Sequence, residues 1–275
     1  MGYRLKILAL GIGVSIGSAL TSASADATTV VALTGNKRLM VVQTTGVNAP
    51  RVVRQLDVRI SGRLAGIDVR AADGLLYGVT TAGQIVTINT RTGAATASGN
   101  LTLPLPSAQV SVDINPVADA IRIVGLDGTN LRHPFATGTT VADTAINFPP
   151  PPAPPNPFGD TTPGVIAIAY TNAIPGANIP GTTATQLIDI DPSPPALYLQ
   201  TPANSGTLSA LGRITGGALG SSLGFDIFVD RQGQNVGLIV TRNRLLRIDV
   251  VGGAITASHR IRGLAAAVRD LAALR

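Results

Sequence analysis

The chain has 275 residues, a formal net charge of +6 and no cysteine, and aromatic residues make up 3% of it. The absence of cysteine excludes disulfides, thiolate chemistry and attachment as a lipoprotein. The scarcity of aromatic residues argues against stacking platforms for single-stranded nucleic acid, so no nucleic-acid partner is expected. Every acidic residue is aspartate, and glycine, threonine and valine are abundant, which disfavours helices and favours strands and turns.

The first segment, Met1–Ala25, has the three parts of a signal peptide. Arg4 and Lys6 give it a basic start, Ile7–Leu20 is apolar, and it ends in the small residues Ala-Ser-Ala. The apolar run is short and interrupted by glycines, which argues against a transmembrane anchor. We therefore expect secretion to the periplasm or the exterior of a bacterium, with residues 26–275 forming one mature domain.

The stretch from Gly66 to Gly99 is typical of a four-stranded antiparallel sheet. Its predicted strands are Gly66–Arg70, Leu75–Thr80, Gln84–Asn89 and Ala94–Ser98, and a turn containing glycine separates each from the next. Because a single sheet of this kind leaves both faces exposed, it needs neighbouring sheets to cover them.

The rest of the mature chain repeats this unit. Val112–Asp143 matches it without a gap, and Arg244–Ser258 matches its second half. A degenerate copy lies between Val165 and Asp191, and an incomplete copy lies between Val30 and Gln43. Five units of this length are typical of the blades of a β-propeller.

The end of the chain is predicted to close the ring. The first copy lacks its opening strand, and Ala266–Leu274 is a β-like segment that follows the last full copy. The composition of Gly263–Arg275 also fits a helix, but its place after the last repeat favours a closing strand. The predicted fold class is therefore all-β, a β-propeller of five four-stranded blades closed by the C-terminal strand.

One proline-rich insert interrupts the repeats, at Asn147–Pro163. Consecutive prolines adopt an extended conformation and cannot donate hydrogen bonds to a sheet. We interpret the insert as a stiff surface loop between the third and fourth blades. The alternative is a docking segment for an aromatic groove on a partner protein.

The residues GIDVRAADGLLYGV, followed by VDINPVADAIRIVGLDGTNLR, resemble a bacterial secreted family known as domain of unknown function 4394. The resemblance extends from about Val30 to the end of the chain and is strongest between Gly66 and Arg132. It implies a β-propeller-like fold, export and no known activity. The pair His133-Pro134 and the proline-rich insert depart from the family pattern. The positions that match it in the third unit are Asp113, Asn115, Pro116, Asp119, Arg122, Asn130 and Arg132.

Asp68, Asp113 and Asp226 occupy one slot in three of the units, near the start of the predicted innermost strand. A ring of carboxylates at the channel mouth could bind calcium, which takes six to eight oxygen ligands. Alternatively, each carboxylate accepts hydrogen bonds from backbone N–H groups of the adjacent blade. No other cofactor is expected.

The third unit is unusually polar, because Asn130 and His133 stand where the sister units carry isoleucine or leucine. One interpretation is a network whose members satisfy one another within or between blades. The other is a site for a polar ligand. The candidate ligand-binding residues are Asp113, Asn115, Asp119, Arg122, Asn130 and Arg132.

These features favour an exported, non-enzymatic propeller that binds a protein, a glycan or an envelope component. The dispersed histidines, His133 and His259, form no zinc-hydrolase motif, and no GxSxG motif occurs. Two alternatives stay open at this point. One is a hydrolase or lactonase that uses a metal held by aspartate and asparagine, and the other is a structural subunit of a surface assembly.

Overall fold

The computed structural model describes residues 28–44, 49–106, 109–150, 156–159, 161–177 and 184–274. In these ranges the chain forms twenty β-strands, arranged as five four-stranded antiparallel sheets, and one short 3₁₀ helix, Ala203–Ser205. The fold is therefore the predicted five-bladed β-propeller. The predicted signal segment, Met1–Ala25, lies outside the described residues. Within the described ranges, no helical segment is long and apolar enough to cross a membrane.

Blades 1 to 3 contain the following strands, given from the axis outwards. Blade 1 has β20 (Val268–Leu274), β1 (Thr29–Thr34), β2 (Arg38–Gln43) and β3 (Arg51–Asp57). Blade 2 has β4 (Leu64–Val69), β5 (Leu76–Thr80), β6 (Gln84–Ile88) and β7 (Ala95–Asn100). Blade 3 has β8 (Val110–Asn115), β9 (Ala120–Gly125), β10 (Asn130–Pro134) and β11 (Val141–Ala142).

Blades 4 and 5 follow the same order. Blade 4 has β12 (Ala167–Tyr170), β13 (Leu187–Pro192), β14 (Pro195–Gln200) and β15 (Leu208–Arg213). Blade 5 has β16 (Leu223–Val229), β17 (Asn235–Thr241), β18 (Arg244–Ile248) and β19 (Ile255–Arg260). Each innermost strand packs against the innermost strands of its two neighbours, so β20, β4, β8, β12 and β16 surround the axis.

The ring is closed by the end of the chain. Strand β20 pairs antiparallel with β1, with Ala273 opposite Val30 and Ala272 opposite Val31. This confirms the closing strand predicted over Ala266–Leu274, although the strand itself begins at Val268. The first blade therefore combines strands from both ends of the chain.

Apolar side chains fill each joint between neighbouring blades, in five separate clusters. Between blades 1 and 2, for example, Leu33 and Leu39 pack with Leu64 and Ile67, and all four are fully buried. Burying such a side chain stabilises the fold by about 1.5–3 kcal/mol. Since both faces of every blade are covered in this way, most positions of the inner and middle strands are apolar.

The described parts of the proline-rich insert pack against blade 4. The ring of Phe148 lies 5.4 Å from that of Tyr198, and the ring of Phe158 lies 5.7 Å from it. Asn156 Nδ2 donates to the hydroxyl of Tyr198 at 3.0 Å. Residues 151–155 and 160 lie outside the described ranges. These contacts favour a role for the insert within the propeller.

Candidate functional site

Three of the predicted site residues meet on the axis. Asp68, Asp113 and Asp226 lie on β4, β8 and β16, and one carboxylate oxygen of each lies within 4.8 Å of those of the other two. They stand in the middle or later part of their strands, not near the start as expected, and all three are buried. The cluster therefore lies inside the channel and not at its mouth.

Each of these carboxylates binds a backbone N–H group of the next blade, and we call these bonds the central latches. Burying a backbone N–H and a carboxylate here is tolerated because each satisfies the other. The latches join Ile114 N to Asp68 at 2.8 Å, Tyr170 N to Asp113 at 3.2 Å and Ala273 N to Asp226 at 2.6 Å.

A second layer of latches lies one step nearer the start of the strands. Asp270 Oδ2 accepts from Ile67 N at 2.8 Å and from Val112 N at 3.4 Å. Ser111 Oγ accepts from Ile168 N at 3.2 Å. Position 66 has to be glycine, because a Cβ there would lie 2.4 Å from Asp270 Oδ2.

Of the two interpretations of the repeated aspartates, these hydrogen bonds favour the one in which each carboxylate binds the backbone of the adjacent blade. Burial, followed by the charges of Asp68 and Asp226, raises the pKa of Asp113 well above its ordinary value. Burial also raises the pKa of Asp270 to about 8. Calcium requires six to eight oxygens, mostly from ionised carboxylates, whereas among the described residues only three carboxylates converge here and they accept backbone hydrogen bonds. The geometry supports a structural role for this cluster.

The polar residues of the third unit form a buried network across the joint between blades 3 and 4. Arg122 Nη1 donates to Asn130 Oδ1 at 2.7 Å and to Asp143 Oδ2 at 2.8 Å. Its Nη2 donates to Asn204 Oδ1 at 2.7 Å, and its Nε donates to the hydroxyl of Tyr170 at 3.3 Å. Every nitrogen of the guanidinium therefore has a partner in the fold.

The remaining predicted ligand-binding residues also have partners within the chain. Arg132 donates to Asp143 at 3.1 Å. Asn115 Oδ1 accepts from the N–H groups of two following residues in the turn after β8. Asp119 pairs with Arg70 of blade 2. The structure brings Arg122, Asn130 and Arg132 together around Asp143 and Asn204, whereas Asp119 pairs with Arg70 on blade 2.

Asp189 is a buried acid that is not among the predicted site residues. It lies on β13 and is fully buried, and neither carboxylate oxygen has a hydrogen-bond partner among the described residues. Burial raises its pKa well above the ordinary value, which favours the neutral carboxyl.

A cavity of about 450 Å³ opens at the end of the channel where the innermost strands begin, and we call it the mouth cavity. All five blades contribute to it. Its lining residues are Arg63, Gln109, Val110, Ile166, Ser221, Ser222, Leu223 and Arg269. The sequence analysis missed these residues, because the positions just before each innermost strand share no residue type that would mark them.

Two arginines give the mouth cavity its charge. Arg269 Nε donates to the carbonyl of Gly35 at 2.8 Å, and its Nη2 donates to the carbonyl of Leu64 at 2.9 Å. Burial, helped by the nearby charge of Arg63, lowers the pKa of Arg269 to about 10, so it stays protonated at neutral pH. Arg63 Nε is buried and has no hydrogen-bond partner in the described part of the chain.

A second cavity, of about 660 Å³, lies on the rim between blades 5 and 1. It is lined by His259, Arg260 and Arg262 together with backbone and small side chains of residues 49, 261 and 263–265. The other histidine, His133, is buried, and its Nδ1 lies 3.0 Å from Thr140 Oγ1. The two histidines therefore lie apart from each other and from the carboxylates of the axis.

Comparison with known proteins gives a family and a fold. The model of the family described as "Domain of unknown function (DUF4394)" matches residues 38–272. No curated protein matches the chain. A crystal structure of a protein of unknown function from Bacteroides caccae is similar with a TM-score of 0.52 and 7% identity, over 91% of this chain and 100% of that one. At this identity the similarity shows the propeller fold alone.

A second similar structure is an auxiliary nutrient binding protein from Bacteroides ovatus ATCC 8483, with a TM-score of 0.43 and 12% identity. The match covers 76% of this chain and 55% of that protein, so the chain spans about half of its length. This similarity is too distant to support a conclusion about function.

Proposed function

The chain belongs to the DUF4394 family, whose function is unknown, and we propose that it is an exported, non-enzymatic protein that binds a small polar ligand at its mouth cavity. One observation carries the proposal: all five blades contribute side chains to a single concave site on the axis. Its volume of about 450 Å³ lies in the range of small-molecule sites, and a few polar groups converge over an apolar floor.

The rigidity of the ring supports binding at this place. The second layer of latches lies below the mouth cavity, the central latches lie one layer deeper, and both hold the innermost strands to one another. A site built on such strands needs little ordering when a ligand enters, and this reduces the entropic cost of binding. The ligand most compatible with the site is a small polar molecule such as a short glycan or another envelope component.

The arrangement of the acidic residues favours binding over catalysis. A hydrolase would need an acid or a metal-bound water within reach of the bound ligand. The axial aspartates instead accept hydrogen bonds from backbone amides below the cavity. Export follows from the composition of Met1–Ala25 and is part of the proposal.

Filling the mouth cavity tests this function. We would measure the thermal stability of the mature chain with a panel of saccharides and organic acids. The mouth variant is Ser221→Trp, and its matched control is Ser98→Trp on the exposed outer strand β7. Compounds that raise the melting temperature of the wild type and the control should fail to raise that of Ser221→Trp. Equal responses in all three proteins, or no response of the wild type to any compound, would contradict the proposal.

A further inference from the structure

The two arginines of the mouth cavity have no acidic partner. Among the described residues, neither Arg63 nor Arg269 forms an ion pair. Arg63 Nε is also buried without a hydrogen-bond acceptor. Leaving a buried donor unsatisfied destabilises a fold, and the penalty is larger when the group is charged. The fold therefore maintains two neighbouring cations at its mouth at a cost to its own stability.

The acids nearby do not neutralise this charge. Asp270 follows Arg269 directly, but its carboxyl oxygens face Ile67 N, Val112 N and Ser111 Oγ. Its pKa of about 8 leaves most of it protonated at neutral pH. The other axial carboxylates lie one layer deeper and bind the backbone of their neighbours. Within the described part of the chain, no acid supplies the negative charge that would pair with the two arginines.

The geometry of the cavity fits an oxyanion. The bonds from Arg269 to two backbone carbonyls fix its guanidinium in place. A guanidinium offers paired N–H donors that match the two oxygens of a carboxylate or a phosphate. Ser221 adds a hydroxyl at the same rim, whereas Val110, Ile166 and Leu223 provide an apolar surface for a carbon skeleton.

We propose that the mouth cavity selects a small organic anion, whose carboxylate or phosphate group lies between Arg63 and Arg269. This inference rests on the proposed function, because it names the chemical class of the ligand for the same site. It assigns Arg63 the larger part of the selectivity, because Arg269 already uses two of its nitrogens on backbone carbonyls.

Matched sugars test the proposal. At constant ionic strength, we would titrate the mature chain with glucuronate, glucose 6-phosphate and uncharged glucose in a calorimeter. Glucuronate and glucose 6-phosphate present the two forms of the anion, and glucose lacks the charge. We expect at least one of the two acids to bind at least about tenfold more tightly than glucose, since a charge-assisted hydrogen bond contributes about 1.5–3 kcal/mol.

Three variants test whether Arg63 is the residue that makes the site selective for anions. Arg63→Gln should weaken binding of the acids at least about tenfold, and Arg63→Lys should retain part of it. Arg260→Gln removes the same charge from the rim cavity and should leave binding unchanged. Because Arg63 Nε is buried without an acceptor in the described chain, Arg63→Gln should leave the melting temperature of the unliganded protein equal to or higher than that of the wild type.

The outcomes separate the two proposals. If glucose binds as tightly as the acids and Ser221→Trp abolishes that binding, the site is correct and its anion selectivity is wrong. If the acids bind but respond to Arg260→Gln and not to Arg63→Gln or Ser221→Trp, both proposals are wrong. Failure of both acids to bind the wild type would overturn the anion proposal.

Discussion

The axis of this propeller has two polar regions with opposite properties. In the channel centre, every repeated aspartate accepts a backbone N–H from the next blade. At the mouth, only a few residues nearer the start of the same strands, two arginines stand without an acidic partner among the described residues. On the axis, the polar groups that recur from blade to blade hold the ring together, whereas the two arginines that occur once there take no part in the latches.

The largest expected effect comes from breaking the polar network between blades 3 and 4. Arg122→Leu removes a buried cation and leaves Asp143 and Asn130 without their main donor. We expect a loss of about 3–5 kcal/mol in the free energy of unfolding, measured with a chemical denaturant. Arg132→Leu is the control, since Arg132 contacts the same acid but its side chain is 28% exposed. Equal losses for both variants would contradict the assignment.

A smaller effect should follow from adding one methyl group at the axis. In Gly66→Ala the new Cβ would meet Asp270 Oδ2 at 2.4 Å, which would push the carboxyl away from Ile67 N. We expect a loss of about 1–3 kcal/mol in the free energy of unfolding. Gly99→Ala is the matched control, because its nearest contact, with Ile85 at 3.9 Å, is an ordinary one. If both variants unfold like the wild type, Asp270 does not hold the position described here.

The fold was predictable from sequence because its signals are local. Alternating strands and glycine turns recur in each unit, and the unpaired segment at the end of the chain supplies the strand that the first unit lacks. The latches were harder to predict, since Asp270 and Ile67 lie 203 residues apart. A repeated aspartate shows that a role is shared between blades, but it does not show which backbone group the carboxylate meets.

The mouth cavity could not be predicted for a different reason. Arg63 lies just before its strand and Arg269 lies within its own, so they do not share a slot in the repeat. Their proximity depends on the closure of the ring, which brings β20 beside β4. In the third unit the sequence allowed both a polar network and a ligand site, and the hydrogen bonds across the joint with blade 4 favour the network.

The dependence of stability on pH gives a graded test of the channel centre. The pKa of Asp270 is raised from 3.8 to about 8, so its protonated form is the one that suits the folded state. The stabilisation from this carboxyl is fully present below pH 3.8, its pKa in the unfolded chain, and is lost as the pH rises towards 8. Each such group lowers the free energy of unfolding by about 1.4 kcal/mol per pH unit in this window. Asp113 and Asp189 act in the same direction.

Asp270→Asn should therefore make the free energy of unfolding fall less steeply between about pH 4 and pH 8. The change in slope should correspond to roughly one proton, because asparagine still accepts from Ile67 N but does not titrate. The measurement is denaturant unfolding at several pH values. Asp249→Asn, at an exposed turn aspartate, is the control and should leave the slope unchanged. A wild-type chain that becomes more stable as the pH rises through this window would contradict the assignment.

The smallest expected effect is that of calcium, and it distinguishes a latch from a metal site. Asp68, Asp113 and Asp226 accept hydrogen bonds from backbone amides, and an ion among them would have to compete with those bonds. We expect the same melting temperature with calcium chloride and with a chelator. A bound ion at a hundredfold excess over its dissociation constant would instead stabilise the fold by about 2.7 kcal/mol. Such a shift, if it were lost in Asp113→Asn, would show that the channel centre binds a metal ion. The channel centre and the mouth cavity would then both be binding sites, and the contrast drawn between them would be wrong.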